Sequence, residues 1–153
     1  MEELLACILL WQEGLLPWEA YEEKLDALFL ADPENELLQE LEWEGKAPKD
    51  TAAKVLTCFG SHSREVQPDV LGRFLMARLK EVYRREDLDI RWFADRMYLL
   101  WEDLPPWLQD VQPFWTLSYA DDPLSWGDEK QTREIYQEML DYYDDKEEGQ
   151  ARP

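Results

Sequence analysis

The sequence is poor in the residues that most often carry chemistry. It has one histidine, His62, and two cysteines, Cys7 and Cys58, among 153 residues. His62 lies between Ser61 and Ser63, a spacing that does not place a nucleophile and an orienting acid for a catalytic triad. No Cys-x-x-Cys pair, phosphate-cradling Gly-rich loop or G-x-S-x-G segment is present. We therefore predict no catalytic residue, no metal and no cofactor.

Basic residues are also scarce. The chain has 16 Lys and Arg against 35 Asp and Glu, which gives a net charge of −19. Binding to nucleic acid requires clustered cations that replace counterions along the phosphates, and anionic membranes attract basic rather than acidic segments. The composition therefore excludes non-specific binding to nucleic acid, and it argues equally against docking on a membrane surface.

Long hydrophobic runs are missing as well. The longest apolar segment, Leu4 to Trp11, has eight residues, far fewer than the ~18 that span a bilayer. It follows Glu2 and Glu3, whereas a secretory signal begins with basic residues and ends at a small-residue cleavage site. Two cysteines among apolar neighbours are typical of buried thiols in a reducing compartment. We expect a cytoplasmic protein.

Apolar residues recur at helical spacing along most of the chain. Leu4, Ile8, Trp11 and Leu15 share one helical face, and alternation typical of a strand occurs only between residues 114 and 119. The pattern predicts an all-α protein, packed as an irregular single-domain bundle of about six or seven helices. We assign residues 1–143 to that domain and residues 144–153 to a flexible polar tail.

Helix boundaries follow from capping residues. Gly14 is expected to end the first helix and Gly60 the fourth. Aspartates, in two places beside proline, suit helix starts because the side chain caps free N–H groups and proline fits the first turn. The predicted starts after the second helix are Asp32-Pro33, Asp50, Pro68-Asp69, Asp87 or Asp89, and Asp128.

Eight apolar residues at helical spacing are predicted to form one core. They are drawn from most of the predicted helices, and each lies on the apolar face of its own helix. Replacing Phe74, for example, by Ala should therefore cost about 3–5 kcal/mol. The predicted core residues are Trp11, Leu25, Leu38, Phe74, Leu79, Phe93, Met97 and Ile135.

The segment before the last helix is rich in tryptophan and proline. Residues 105–127 contain four prolines and the aromatics Trp107, Phe114, Trp115, Tyr119 and Trp126. We predict an irregular loop, with one helical turn near Trp107 to Val111. Most of its aromatics should complete the core and one or two should stay exposed, where tryptophan and tyrosine often anchor a binding partner.

Acidic residues are concentrated near the start of the chain, where residues 1–50 hold 14 acids and 3 bases. On the second helix, the acids are expected opposite the apolar face of Trp18, Tyr21, Leu25 and Leu28, with only Lys24 nearby to neutralise them. Such a surface serves either solubility or the binding of a partner. The predicted partner-binding residues are Glu19, Glu22, Glu23, Asp26, Glu34, Glu36, Glu40 and Glu44, with Trp107, Trp115 and Trp126 as aromatic anchors.

Two functional hypotheses follow. The first is a non-enzymatic interaction domain that binds a basic protein partner, since an acidic face steers a cationic partner and speeds association. In size, charge and aromatic content the chain resembles bacterial immunity proteins, acidic domains that neutralise toxins by blocking them. No motif carries that resemblance, so it implies no residue roles, and it makes a basic toxin domain one partner to consider.

The alternative is a carboxylate- or metal-dependent hydrolase, or another enzyme that binds a small molecule. Asp121, Asp122 and Asp128 do not have the ligand spacing of an EF-hand, and Asp128 is expected to cap a helix instead. Paired acids such as Glu19 and Glu22 could hold two metals within a bundle only if Glu-x-x-His motifs were also present. The sequence has no such motif.

Overall fold

A computed structural model describes residues 1–43, 47–61, 66–144 and 146, with only the backbone of Gly60 and Ser61. Throughout this part of the chain the secondary structure is helical and no strand occurs, which confirms the predicted all-α class. The chain divides into two compact units, Met1–Gln67 and Pro68–Pro153, and each is described by itself. The domain limits of 1–143 and 144–153 stay a prediction.

The first unit is built around its first helix. Leu4, Leu5, Ile8 and Leu9 of that helix are fully buried, since it contacts both the second and the fourth helices, while the second also contacts the third. Apolar residues on nearly every side of the first helix therefore have a neighbour to pack against. The helices of this unit are α1 (Glu2–Gln12), α2 (Trp18–Ala31), α3 (Glu36–Trp43) and α4 (Pro48–Ser61).

Helix α1 ends in a turn at Gly14, as predicted. Gly14 adopts a left-handed backbone with φ of +69°, which costs glycine little because it has no Cβ. Its N–H donates to the carbonyl of Trp11 at 3.0 Å, and the N–H of Leu15 donates to Leu10 at 2.9 Å. This Schellman arrangement satisfies two carbonyls at the helix end and buries Leu15.

The predicted start of α3 at Asp32-Pro33 is wrong. The helix begins at Glu36, and the side chain of Asn35 accepts a hydrogen bond from the N–H of Leu38 at 3.2 Å. The N–H of Asn35 itself donates to the carbonyl of Asp32, so Asp32-Pro33 opens a turn that precedes the helix. Asp-Pro and Asn both favour turns and helix starts. Asn35 lies closer than Asp32 to the apolar residues of α3, and it is the residue that caps the helix.

Helix α4 starts earlier and ends later than expected. It begins at Pro48 rather than after Asp50, because the N–H of Thr51 already donates to the carbonyl of Ala47 at 3.0 Å. Proline is tolerated at this first position, since its missing N–H would have had no helical partner. The helix passes Gly60 and reaches Ser61. Residues 62–65, which include His62, lie outside the described residues.

The second unit has its aromatic core between its longer helices. Phe93, Phe114 and Tyr136 are buried, and the rings of Phe93 and Tyr136 meet edge to face with centroids 5.0 Å apart, a favourable arrangement for aromatic pairs. The α-helices of this unit are α5 (Pro68–Tyr83), α6 (Ile90–Asp103), α7 (Pro106–Gln109) and α8 (Glu129–Leu140), and two 3₁₀ helices span Phe114–Ser118 and Asp122–Trp126.

Seven helices of eight residues or more lie in the described part of the chain, which agrees with the predicted number. Two predicted caps are confirmed: the Asp89 side chain accepts from the N–H of Arg91 at 2.9 Å, and Asp128 accepts from Gln131 at 3.0 Å. Within the described ranges, none of the helices has the length and apolar character needed to cross a membrane.

Most of the predicted core residues are buried, with one clear exception. Leu25, Leu38, Leu79, Phe93 and Met97 are buried, and Trp11 and Ile135 are half-buried.

Phe74 is 40% exposed, so its placement in the core is wrong. The buried face of α5 is centred on Leu71, Leu75, Leu79 and Val82. Phe74 lies about 100° around the helix from Leu75, at the edge of that face.

Residues 105–127 are more regular than an irregular loop. The single helical turn expected near Trp107 is present as α7, and the two 3₁₀ helices follow it. The Trp101 indole N–H donates to the carbonyl of Gln109 at 3.0 Å, and the Gln109 amide donates back to Trp101 at 3.1 Å. The Thr132 hydroxyl of α8 donates to the carbonyl of Ala120 at 2.8 Å. These side-chain bonds tie the segment to α6 and α8.

The residues after α8 pack on α5. Tyr143 is buried, and its ring lies so close to Gly72 that a Cβ on the glycine would overlap the tyrosine hydroxyl. Lys80 of α5 forms ion pairs with Asp141, at 3.1 Å, and with Asp144. Beyond Asp144, only Lys146 of the predicted tail is among the described residues.

The two cysteines are not joined in a disulfide, and each is half-buried rather than fully buried. Burial raises the pKa of the Cys7 thiol above its usual range, while the nearby Lys24 acts in the opposite direction. A thiol of this kind is protonated at neutral pH and behaves as a small apolar group. The arrangement agrees with a structural role for Cys7 in α1.

Candidate protein-interaction surface

The acidic residues predicted for partner binding reach solvent wherever the structure describes them. Four lie on α2, one lies in the turn that follows, and two lie on α3, and every one of these is exposed. Glu44 lies outside the described residues. We call this set the acidic surface: Glu19, Glu22, Glu23, Asp26, Glu34, Glu36 and Glu40.

The acids of α2 extend from the side opposite its apolar face to the side that meets α3. Tyr21 and Leu25 are buried, and Glu23 lies about 160° around the helix from both, opposite the apolar face as predicted, whereas Glu22 lies only about 60–100° from them. Glu22 and Asp26 line a shared hollow with Leu25 and with residues of α3. Carboxylates from both helices therefore come together where α2 meets α3.

The lysine expected to neutralise the acids of α2 pairs with α1 instead. Lys24 forms an ion pair with Glu3 of α1, on another side of α2. Lys54 of α4 pairs with Glu40 at 3.1 Å, so one member of the acidic surface has a cationic partner. The acids on α2 itself form no ion pair with any other described residue. Within the described part of the chain, no ion pair neutralises their charge.

A groove between α2 and α3 was not foreseen from the sequence. It has a volume of about 360 Å³ and combines two indole rings and a buried apolar floor with three carboxylates. The Trp18 indole N–H donates to Glu22 at 3.0 Å, which holds this carboxylate at the groove. We call it the α2–α3 groove; its lining residues are Trp18, Tyr21, Glu22, Leu25, Asp26, Glu42 and Trp43.

Trp43 is the most exposed large apolar residue of the described chain, at 87%. It lies at the end of α3 and also borders a second hollow of about 620 Å³, lined by Glu36, Glu40 and Lys54 among others. Trp43 follows Leu41 by two residues, about 200° around the helix, so the helical phase already indicated its exposure. An exposed indole among carboxylates is a common anchor for a protein partner.

Glu42 and Asp26 bring two carboxyl groups together across the groove. Burial raises the pKa of Glu42, and the hydrogen bond with Asp26 and the negative charge of Asp26 raise it further. Two carboxylates this close repel each other when both are charged. The groove thus contains a pair of carboxyl groups whose negative charges are held together by the packing of α3 against α2.

The three tryptophans predicted as anchors all belong to the second unit, whereas the acidic surface belongs to the first. Trp107 is half-buried, and its indole nitrogen is shielded from solvent. Trp115 and Trp126 are 48% and 65% exposed, and the Trp115 ring rests against Tyr119 with centroids 5.1 Å apart. Two exposed aromatics in this segment agree with the expectation that one or two would remain at the surface.

The acidic residues also bear on the enzymatic alternative. Asp128 caps α8, as expected of a structural aspartate, and burial followed by the charges of Asp122 and Asp95 raises the pKa of Asp121. Among the described residues, no group of three His, Cys, Asp or Glu side chains is arranged to hold a metal ion. No residue set can therefore be named for a metal-dependent reaction in this part of the chain.

Comparisons with known proteins provide no family for the chain. No protein-family model, curated protein or solved structure matches it.

Proposed function

We propose that this protein is a non-enzymatic interaction domain that binds a basic protein partner through the acidic surface on α2 and α3. The observation that carries the proposal is the exposure of all seven described acids. Four of them line the two hollows bordered by Trp43, which is itself 87% exposed: Glu22, Asp26, Glu36 and Glu40. Charge of one sign attracts the partner over a distance, and an exposed indole supplies the apolar contact that holds it.

The acidic surface weakens the helix that carries it, and this cost supports an electrostatic role in binding. Like charges three or four residues apart on α2, such as Glu19 with Glu22 and Glu23, weaken a helix by a few tenths of a kcal/mol per pair. Binding of a cationic partner removes this repulsion. It also raises association rates above the ~10⁵–10⁶ M⁻¹s⁻¹ of neutral surfaces.

The narrower form of the proposal is an immunity-type protein that blocks a basic toxin domain. The size, the net charge of −19 and the aromatic content support it. We further propose a cytoplasmic location, which is supported by two cysteines that form no disulfide with each other. The alternative of a carboxylate- or metal-dependent enzyme has no observation in its favour and is not proposed.

The experiment is capture of partners from the source cell, followed by kinetics with the purified partner. A triple variant with Glu22, Glu23 and Asp26 changed to Lys should slow association at least tenfold and flatten its dependence on salt. The matched control changes Glu86, Glu102 and Asp103 to Lys, three exposed acids of the second unit, and alters net charge equally. Its association rate should stay within threefold of the wild type.

Three results would contradict the proposal. A partner that is not basic removes its electrostatic premise. Unchanged association in the α2 variant moves the binding site to another part of the molecule. Equal loss in both variants shows that net charge matters but the acidic surface does not. For the narrower form, co-expression of the captured partner with the protein should relieve that partner's toxicity, and the α2 variant should fail to do so.

A further inference from the structure

The α2–α3 groove combines an aromatic wall with a charged rim. The indoles of Trp18 and Trp43 stand on α2 and α3, and Tyr21 and Leu25 lie beneath them. A volume of about 360 Å³ is at the lower end of the range for ligand sites. It therefore suits one long side chain of a partner better than a helix or a loop.

The charge of the groove determines what that side chain must carry. Glu22, Asp26 and Glu42 face the groove, and among the described residues that line it none is Lys or Arg. An apolar floor below three carboxylates is complementary to a side chain with a hydrocarbon stem and a cationic head. In a protein partner, only lysine and arginine have this form.

Arginine fits the geometry better than lysine. A planar guanidinium stacks on indole faces and presents several N–H donors in one plane. A lysine ammonium, in contrast, is a compact point charge. Asp26 and Glu42 both line the groove and are close enough for Asp26 to raise the pKa of Glu42, so their oxygens can accept from the two arms of one guanidinium.

We propose that the α2–α3 groove is an arginine pocket, in which a partner guanidinium lies against the Trp43 indole and donates to Asp26 and Glu42. This inference rests on the proposed function, since it specifies how the basic partner is recognised. It makes Trp43 the residue that determines specificity for arginine, while the acids of α2 supply attraction for any cation.

The test uses two peptides of equal charge, hexa-arginine and hexa-lysine, and measures their dissociation constants by calorimetry at low salt. The wild-type protein should bind hexa-arginine at least fivefold more tightly. In ¹H–¹⁵N spectra, hexa-arginine should shift the indole signals of Trp18 and Trp43 more than the other six. Trp43→Ala should remove the preference for arginine, and Trp43→Phe should retain part of it. The matched control Trp92→Ala, at an exposed tryptophan of α6, should leave the preference unchanged.

The outcomes separate this inference from the proposed function. Equal affinity for both peptides, with both weakened when Glu22, Glu23 and Asp26 are reversed, overturns the arginine pocket and leaves the acidic surface intact. An arginine preference that survives in Trp43→Ala also overturns it. Failure of the wild-type protein to bind either peptide contradicts both. Because Trp43 is 87% exposed, its replacement should leave the far-ultraviolet circular dichroism spectrum unchanged.

Discussion

At the scale of single residues, the contact of Glu42 with Asp26 makes the free energy of unfolding depend on pH. The pKa of Glu42 is raised above its ordinary value of 4.5, so the folded state binds this proton more tightly than the unfolded chain does. Stability from this group is complete below pH 4.5 and is lost as the pH rises through the folded pKa. Glu42→Gln should therefore increase the free energy of unfolding at pH 7 and have little effect at pH 3.5.

Urea denaturation at both pH values measures this difference. Glu19→Gln is the control, because it also removes one exposed charge from α2 or α3 but at a position away from Asp26. The stability difference between this variant and the wild type should depend less on pH. A Glu42→Gln variant that is less stable than the wild type at pH 7 would show that the charged form of Glu42 is the favoured one.

Phe74 and Leu75 are neighbours in sequence with opposite environments. Leu75 is fully buried and Phe74 is 40% exposed. Leu75→Ala should cost about 2–5 kcal/mol through lost burial and a cavity. Phe74→Ala should cost only about 1–2 kcal/mol, since much of the ring is already in water. Thermal or urea unfolding compares them directly, and a greater loss for Phe74→Ala would contradict the helical phase of α5.

At the scale of elements, the start of α3 depends on a single side chain. Asn35→Ala should lower the free energy of unfolding by about 1 kcal/mol, because the N–H of Leu38 loses its acceptor. Asp32→Ala should cost less than about 0.5 kcal/mol, since its side chain precedes the helix. Urea unfolding of the two variants side by side measures this, and the reverse order would restore Asp32 as the cap.

The helices were predictable, but several of their boundaries were not. Repeats of apolar residues such as Leu4, Ile8 and Trp11 indicate which segments are helical, because a helix must bury one continuous face. A boundary depends on competition between neighbouring caps that differ by little energy. That is why Asn35 replaced Asp32 and why α4 continued past Gly60.

The acidic part of the candidate site was predictable, whereas the groove was not. Exposure of Glu22 and Asp26 follows from their position outside the apolar face of α2. The approach of Glu42 to Asp26, and the position of Trp43 beside Trp18, depend on how α3 packs against α2. Sequence periodicity gives the faces of each helix but not the register between two helices, so these contacts were missed.

At the scale of the whole molecule, a net charge of −19 makes the folded state repel itself. Added salt screens charges separated by more than about 10 Å at 0.1 M. Raising KCl from about 10 to 150 mM should therefore increase the melting temperature by about 3 °C, which corresponds to roughly 1 kcal/mol for a chain of this size. Calorimetry measures the shift.

The variant with Glu22, Glu23 and Asp26 changed to Lys is the control for this effect. It has less repulsion to screen, so its melting temperature should rise less over the same range of salt. A melting temperature that falls with KCl in the wild type would show that ion pairs such as that of Lys80 with Asp141 outweigh the repulsion.

The contact of Tyr143 with Gly72 limits which sequences can adopt this fold. Any side chain at position 72 would enter the space that the Tyr143 ring occupies, and alanine in its place would otherwise favour the helix by about 1 kcal/mol. Positions 72 and 143 are therefore expected to vary together among natural variants. A residue larger than glycine at position 72 should accompany one smaller than tyrosine at position 143. The two positions, 71 residues apart in the chain, are therefore subject to one packing constraint.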